Sequence, residues 1–220
     1  MSRHPATPAT RLIRLVLELR QSGITDATVL GAIERVPRER FVPPTYRHQA
    51  YENVAVPIGH GQTLSQPLVV ARMTEALALG DRHKVLEIGT ASGYHTAVLA
   101  RLSRRVYTIE RHRPLTVTAE NALRELRIHN VTAWVGDGML GWPEQAPFDR
   151  IVVAAAAAEP PPALLEQLAL GGIMVLPIGT QERSQMLYRV ERTAEGFVGA
   201  ELAEVRFVPL LPGAGAELTG

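Results

Sequence analysis

The second half of the chain alternates strand patterns with helical patterns, and this alternation restricts the fold more than any other feature. Helical patterns begin near Gly93, Pro114 and Pro160. Strands that alternate with helices form a parallel sheet with right-handed crossovers. We therefore expect an α/β fold with a doubly wound, mostly parallel sheet. The predicted strands are KVLEIG, RVYTIE, VTAWVG, FDRIVVAAA and GGIMVLPIG.

The segments on either side of this region have different patterns. Two amphipathic helices, an irregular proline-rich connection and a third helix precede it, whereas QMLYRVERT and GFVGAELAEVRFVPLL predict two antiparallel strands at the end. We expect residues 1–80 to form a helical and loop extension packed on a core of residues 81–220. The two parts are predicted to make one compact domain.

Composition excludes several classes of function. A net charge of +1 and an aromatic content of 5% favour neither nucleic acid nor an anionic membrane as a partner. The chain has no cysteine, which excludes disulfides and thiolate chemistry and agrees with a cytoplasmic location. Arg14, Glu18 and Arg20 interrupt the apolar N-terminal residues, so we expect an amphipathic helix there and no membrane span. The seven histidines lack metal-ligand spacing, and no metal site is predicted.

Glycines and acids cluster where the first three predicted strands end. In open parallel sheets, ligands bind at the carboxyl ends of the strands. Glycine lets a ligand approach the backbone, and a carboxylate at the end of the second strand can accept hydrogen bonds from two ribose hydroxyls. The predicted cofactor site comprises Glu87, Gly89, Gly93, Glu110, Asp137 and Gly138.

The pattern of this site favours S-adenosylmethionine over other nucleotides. A P-loop requires Gly-Lys-Ser/Thr, but Tyr94 follows Gly93, and Ala91 interrupts the G-x-G-x-x-G pattern of dinucleotide loops. A pyrophosphate also disfavours a nearby carboxylate such as Glu87. S-adenosylmethionine has no phosphate and carries positive charge, so it suits acids at three strand ends. The alternative is that the glycines only serve a tight turn while the acids cap helices.

Several motifs together resemble the protein-L-isoaspartate O-methyltransferases, which are class I S-adenosylmethionine-dependent methyltransferases with a Rossmann-like fold. The similarity runs from about residue 35 to residue 212, and the most specific motif is PIGHGQTLSQP at residues 57–67. The other motifs are VPRERFVP, AYEN, VLEIGTASGY, GDGMLGWPEQAPFD, AAAAAEPPPAL and VRFVPLL.

The resemblance implies methyl transfer to the carboxylate of L-isoaspartyl residues in damaged proteins and peptides, which starts repair through a succinimide. S-adenosylhomocysteine would be the second product, and a monomer is expected. Ser65 is implied as the active-site residue. The implied cofactor contacts add Gln62, Thr63, Leu64 and Ser65 to the strand-end residues above, and the implied substrate contacts are His60, Gly61, Thr63 and Ser65.

The chain departs from the family pattern at a few positions. Ala91 replaces the central glycine of the cofactor loop, which bears on cofactor affinity because a methyl group is added near the ligand. Asn53 and Leu68 also differ from common family residues, and they bear on peptide preference rather than on the reaction.

The chemistry implied by the family fits the residues of the 59–67 loop. A carboxylate has a reference pKa near 4 and is ionised at neutral pH, so its methylation needs no general base. Small polar groups in GQTLS can hold such an oxygen in line with a methyl donor, so Ser65 is interpreted as a positioning group. His60 and His95 are interpreted as structural residues. The alternatives are a methyltransferase for RNA or another small-molecule carboxylate, and a non-catalytic S-adenosylmethionine sensor.

Overall fold

The computed structural model describes residues 7–180, 182 and 184–215. Within these ranges, six α-helices precede or connect the strands of two sheets. The helices are α1 (Pro8–Gln21), α2 (Ala27–Arg35), α3 (Pro67–Ala76), α4 (Tyr94–Ala100), α5 (Arg113–Glu125) and α6 (Pro162–Glu166). The strands are β1 (Val56–Gly59), β2 (Gln62–Leu64), β3 (Lys84–Ile88), β4 (Arg105–Glu110), β5 (Val131–Val135), β6 (Phe148–Val153), β7 (Leu168–Ile178), β8 (Gln185–Thr193) and β9 (Gly196–Val205).

A seven-stranded sheet in the order β5-β4-β3-β6-β7-β8-β9 forms the centre of the molecule. Strands β3 to β7 pair in parallel, and β8 and β9 continue the sheet antiparallel. The expected fold class is thereby confirmed, including the antiparallel strands at the end. Strand order reverses at β3, which lies between β4 and β6, and a crevice opens beyond the carboxyl ends at such a point.

The N-terminal helices pack on this sheet through their apolar faces. Leu15, Val16 and Leu19 of α1 are buried in one continuous cluster that also contains strand residues such as Val85. Asp26 caps α2 by accepting hydrogen bonds from the next backbone N–H groups. No helix within the described ranges is long and apolar enough to cross a membrane. The domain division at residue 80 stays a prediction.

The segments of α6 and β9 differ from their predicted secondary structure. The helix predicted from residue 160 to 170 is the shorter α6, because the chain enters β7 at Leu168 and the Gln167 carbonyl accepts a hydrogen bond from Phe148 N at 2.8 Å. The last predicted strand ends at Val205 rather than near residue 211. Beyond it the chain turns back and pairs with Ala156.

Candidate active site

The segment GHGQTLS forms a small β-hairpin rather than an irregular loop. Strands β1 and β2 are antiparallel, with Val56 opposite Leu64 and Gly59 opposite Gln62. His60 and Gly61 occupy the turn with φ values of 52° and 69°. Positive φ at both central residues is the signature of a type I′ turn, which suits the twist of a hairpin. The hairpin is followed directly by Ser65 and by α3.

The cofactor loop joins β3 to α4 and needs glycine at its end. Gly93 has a φ of 86°, and a Cβ atom there would lie 2.9 Å from the Cβ of Ala119 in α5. Backbone conformation and the close approach of α5 therefore both select glycine. Ala91 adopts the left-handed region with a φ of 50°, which is uncommon for a residue with a side chain.

Glu110 holds this loop from the end of β4. Its carboxylate accepts hydrogen bonds from the backbone N–H of Ala91 and from that of His112, each at 2.9 Å. Its side chain is buried yet lines the cavity described next. The carboxylate thus fixes the loop and presents its remaining acceptor capacity to a ligand.

A cavity of about 890 Å³ lies between the hairpin and the carboxyl ends of the sheet strands. The hairpin and the cofactor loop line it from opposite parts of the chain, which brings together most of the predicted site. The predicted residues that line it are Gly61, Gln62, Thr63, Leu64, Ser65, Gly89, Glu110 and Gly138.

Four predicted site residues do not line the cavity. His60 stacks on His112, with ring centroids 5.4 Å apart, and Gly93 lies directly before α4 as its N-cap residue. The carboxylate of Asp137 accepts hydrogen bonds from the backbone N–H of Met139 at 2.8 Å and of Gly213 at 2.7 Å. Glu87 is fully buried. The cofactor contacts predicted for Glu87, Gly93 and Asp137 and the substrate contact predicted for His60 stay predictions.

Glu87 belongs to a buried polar cluster that sequence reasoning missed. One carboxylate oxygen accepts hydrogen bonds from Thr96 and Thr108, and the other has no partner within the described residues. Burial raises the pKa of Glu87 to about 7. Burial also lowers the pKa of His95 to about 4. The 4.0 Å approach of the two side chains is therefore not an ion pair, because His95 is neutral wherever Glu87 is ionised.

The tail of the chain supplies a wall that the sequence analysis did not assign. Residues 204–211 line the cavity, and they include the VRFVPLL motif. The wall is held by backbone hydrogen bonds from Ala156 N to Val208 O at 2.8 Å and from Leu210 N to Ala156 O at 2.7 Å. The hairpin and the segment between β3 and α4 thus line one cavity with residues far along the chain.

A family model for protein-L-isoaspartate(D-aspartate) O-methyltransferase matches residues 11–215. The chain belongs to this family.

Relatives within the protein-L-isoaspartate O-methyltransferase family match nearly the full length of the chain. The Rhodospirillum centenum protein of that name is 59% identical over 205 residues, covering 93% of each chain. The Rhodospirillum rubrum protein is 60% identical over 206 residues, covering 93% of this chain and 94% of the relative.

Solved structures agree with the family assignment. A Plasmodium falciparum protein described as a protein-L-isoaspartate O-methyltransferase, in complex with S-adenosyl-L-homocysteine, superposes with a TM-score of 0.79 at 26% identity. The similarity covers 90% of this chain and 97% of that one. A second structure of a protein-L-isoaspartate O-methyltransferase has the same TM-score at 30% identity, covering 94% of this chain and 67% of that one.

The cavity has polar groups that fit a cofactor of this family. Ser92 Oγ and Arg111 Nε are buried without a hydrogen-bond partner in the described part of the chain, and both residues line the cavity. Buried polar atoms normally have partners, so these two indicate a polar ligand or water. With the Glu110 carboxylate, they offer two donors and an acceptor to a nucleoside bearing an amino acid.

Proposed function

We propose that this protein transfers a methyl group from S-adenosylmethionine to the free carboxylate of L-isoaspartyl residues in damaged proteins and peptides. The observation that carries the proposal is the shared cavity, in which the hairpin segment Gly61–Ser65 lies across from the cofactor loop and Glu110. Family membership over residues 11–215 supports the same reaction. The backbone nitrogen of the following residue then attacks the ester carbonyl and expels methanol, which forms a succinimide whose hydrolysis restores some normal aspartate.

The cofactor half of the cavity is proposed to hold S-adenosylmethionine through backbone and carboxylate groups. Gly89 and Gly138 allow close approach to the ends of β3 and of the segment after β5, and a Cβ at Gly138 would lie 2.3 Å from Ile88 Cγ2. Glu110 accepts hydrogen bonds from the ribose hydroxyls, and Ser92 and Arg111 donate to polar groups of the ligand. When bound, S-adenosylmethionine supplies an activated methyl group.

The hairpin half is proposed to hold the isoaspartyl carboxylate. The substrate is already ionised at neutral pH, so the chain has to orient an oxygen and not to remove a proton. Thr63, Ser65 and the adjacent backbone N–H groups hold that oxygen without the tight pairing that an arginine would impose. Ser65 acts as a positioning hydroxyl, and His60 stabilises the turn through its stack on His112.

His95 does not supply a general base in this scheme. It lines the cavity, but its Nε2 lies 3.0 Å from the Thr74 hydroxyl and burial lowers its pKa to about 4. A neutral imidazole held in this way forms part of the cavity surface and makes a hydrogen bond to Thr74. This arrangement agrees with a reaction that requires no proton transfer.

The direct test uses a methyl-labelled donor and two peptides that differ only in one residue, isoaspartate or aspartate. The proposal expects base-labile label on the isoaspartyl peptide and none on the aspartyl peptide. Equal labelling of both peptides, or binding of S-adenosylhomocysteine without any transfer, would contradict it. The second of these outcomes favours a sensor role.

We also propose that the protein acts as a monomer in the cytoplasm. One chain supplies both loops and the tail wall of the cavity, so a second copy is not needed to complete the site. The absence of cysteine suits a reducing compartment. Sedimentation equilibrium at micromolar concentration is expected to give the 24.0 kDa mass of a single chain, and a mass twice as large would contradict the monomer.

A further inference from the structure

Arg38, in the short 3₁₀ turn after α2, is an arginine buried to 0% exposure. In the described part of the chain, no carboxylate lies within ion-pair distance of its guanidinium. The neighbouring Glu39 instead accepts a hydrogen bond from the Tyr51 hydroxyl. Burial lowers the pKa of Arg38 to about 10, so the side chain is still charged at neutral pH. A buried charge without an ionic partner is costly, and its retention calls for a specific role.

Arg38 donates hydrogen bonds at the base of the hairpin. Its Nη2 donates to the carbonyl of Ser65 at 3.0 Å, and it also contacts the carbonyl of Val54 at 3.4 Å. Val54 precedes β1 and Ser65 follows β2, so one guanidinium joins the two ends of the hairpin.

The same guanidinium connects the hairpin to the cofactor loop. Its central carbon lies 4.8 Å from the centre of the Tyr94 ring, and Tyr94 is the first residue of α4. Tyr94 is itself buried and packs edge-on against Phe41, with ring centroids 5.7 Å apart. Arg38 therefore links the hairpin to the first residue of α4, which directly follows the Gly89–Gly93 loop.

We propose that Arg38 is a positioning residue for methyl transfer, which sets the distance and angle of Ser65 relative to the cofactor loop. The inference rests on the proposed function, since it concerns the same cavity. Arg38 does not line that cavity and touches neither substrate nor cofactor. It acts through the Ser65 backbone, and a displacement of about 1 Å at a reacting centre can cost 10²-fold in rate.

The variant Arg38→Met keeps most of the side-chain volume but removes the charge and the donors. We expect kcat/KM for an isoaspartyl peptide to fall by roughly 10- to 100-fold, mainly in kcat. The dissociation constant of S-adenosylhomocysteine should stay within about threefold, because the cofactor loop keeps its own hydrogen bonds. Arg38→Lys keeps the charge and one donor group, so it should recover part of the lost kcat.

Arg150 offers a matched control. Its guanidinium also holds backbone carbonyls, those of Leu77 and Ala78, but it lies at the start of β6 and does not line the cavity. Both Arg38→Met and Arg150→Met should lower the melting temperature. Arg150→Met should nevertheless leave kcat/KM within about twofold of the wild type. The rates are measured well below the melting temperatures of both variants.

The outcomes separate the inference from the proposed function. Arg38→Met with the same kcat and KM as Arg150→Met overturns the positioning role alone. If Arg38→Met does not fold, Arg38→Lys decides: an unaltered kcat overturns the inference, and a reduced kcat with unaltered S-adenosylhomocysteine binding supports it. A wild-type protein that leaves the isoaspartyl peptide unmethylated overturns the proposed function, and this inference with it.

Discussion

Ser65 lines the cavity with its side chain free of protein hydrogen bonds in the described ranges, while Arg38 holds its carbonyl. A hydroxyl that only positions the substrate carboxylate contributes about one hydrogen bond to the transition state. We expect Ser65→Ala to lower kcat/KM for an isoaspartyl peptide by about tenfold.

Initial-rate kinetics test this expectation, with Ser103→Ala as the control. Ser103 is a buried serine that donates to Leu99 O and lies outside the cavity lining. Its replacement should affect stability but not the rate constants. A loss of about 10⁴-fold or more in Ser65→Ala would contradict the positioning role and indicate direct participation of the hydroxyl in the chemistry.

Glu87 makes the stability of the protein depend on pH. Its folded pKa of about 7 lies above the reference value of 4.5 because burial disfavours the carboxylate. The folded state therefore binds the proton more tightly than the unfolded state. The stabilisation of the folded state by protonated Glu87 is fully present below pH 4.5 and is lost as the pH rises to about 7.

The variant Glu87→Gln lacks this titration, and its amide oxygen can still accept from the threonine hydroxyls. Between pH 4.5 and 7.5, its free energy of unfolding should rise relative to the wild type by on the order of 3 kcal/mol. Urea denaturation at both pH values measures the difference. The control is Glu120→Gln, at an exposed position of α5. Its free energy of unfolding should change with pH in parallel with that of the wild type. Parallel curves for Glu87→Gln as well would show that the pKa of Glu87 is the same in the folded and unfolded states, which would contradict this prediction.

Ala91 places a methyl group in the cofactor loop at a φ of 50°. Replacement by glycine removes both the left-handed strain and the methyl group from the cavity lining. We expect Ala91→Gly to tighten S-adenosylhomocysteine binding by roughly 3- to 10-fold, measured by isothermal titration calorimetry.

The control for this change is Ala78→Gly, because Ala78 has a φ of 47° but lies outside the cavity lining. It relieves the same kind of backbone strain, so it should leave the dissociation constant unaltered. Equal effects of the two variants on binding, or no effect of either, would show that the Ala91 methyl group does not limit cofactor approach.

At the scale of elements, the close approach of α5 to the start of α4 depends on Gly93. Gly93→Ala adds left-handed strain and an overlap with Ala119, so it should cost about 2 to 4 kcal/mol of unfolding free energy. Gly23→Ala has similar strain at a φ of 96° but nothing within 4 Å of its Cβ, and should cost about 1 kcal/mol. Thermal and urea denaturation compare the two variants. Equal losses of unfolding free energy would refute the role of the close approach between Gly93 and Ala119.

The sequence predicts the elements of the parallel sheet well, since each buried strand and each helix has its own local pattern. KVLEIG and RVYTIE are examples that the structure contains as β3 and β4. The hairpin was not predicted, because His60-Gly61 lacks the Asn-Gly pair that usually marks a type I′ turn. The predicted helix after Pro160 was too long, because pairing of β7 with β6 overrides local helix propensity there.

At the scale of the whole molecule, the site assembles from segments that lie far apart in sequence. The hairpin, the cofactor loop and the tail residues 204–211 meet only because strand order reverses at β3 and the chain returns beside Ala156 after β9. Motifs located the first two segments. No local pattern predicts that the tail closes the cavity or that Arg38 lies beneath the hairpin, because these two placements depend on long-range packing.

The regiochemistry of methyl transfer tests the central claim most directly. The substrate is one peptide that contains an isoaspartyl residue, a normal aspartyl residue and a free C-terminus, and tandem mass spectrometry locates the methyl group after brief reaction. We expect a methyl ester at the isoaspartyl carboxylate alone. A methyl group on the normal aspartate or the C-terminal carboxylate would contradict the claim that the cavity selects isoaspartate.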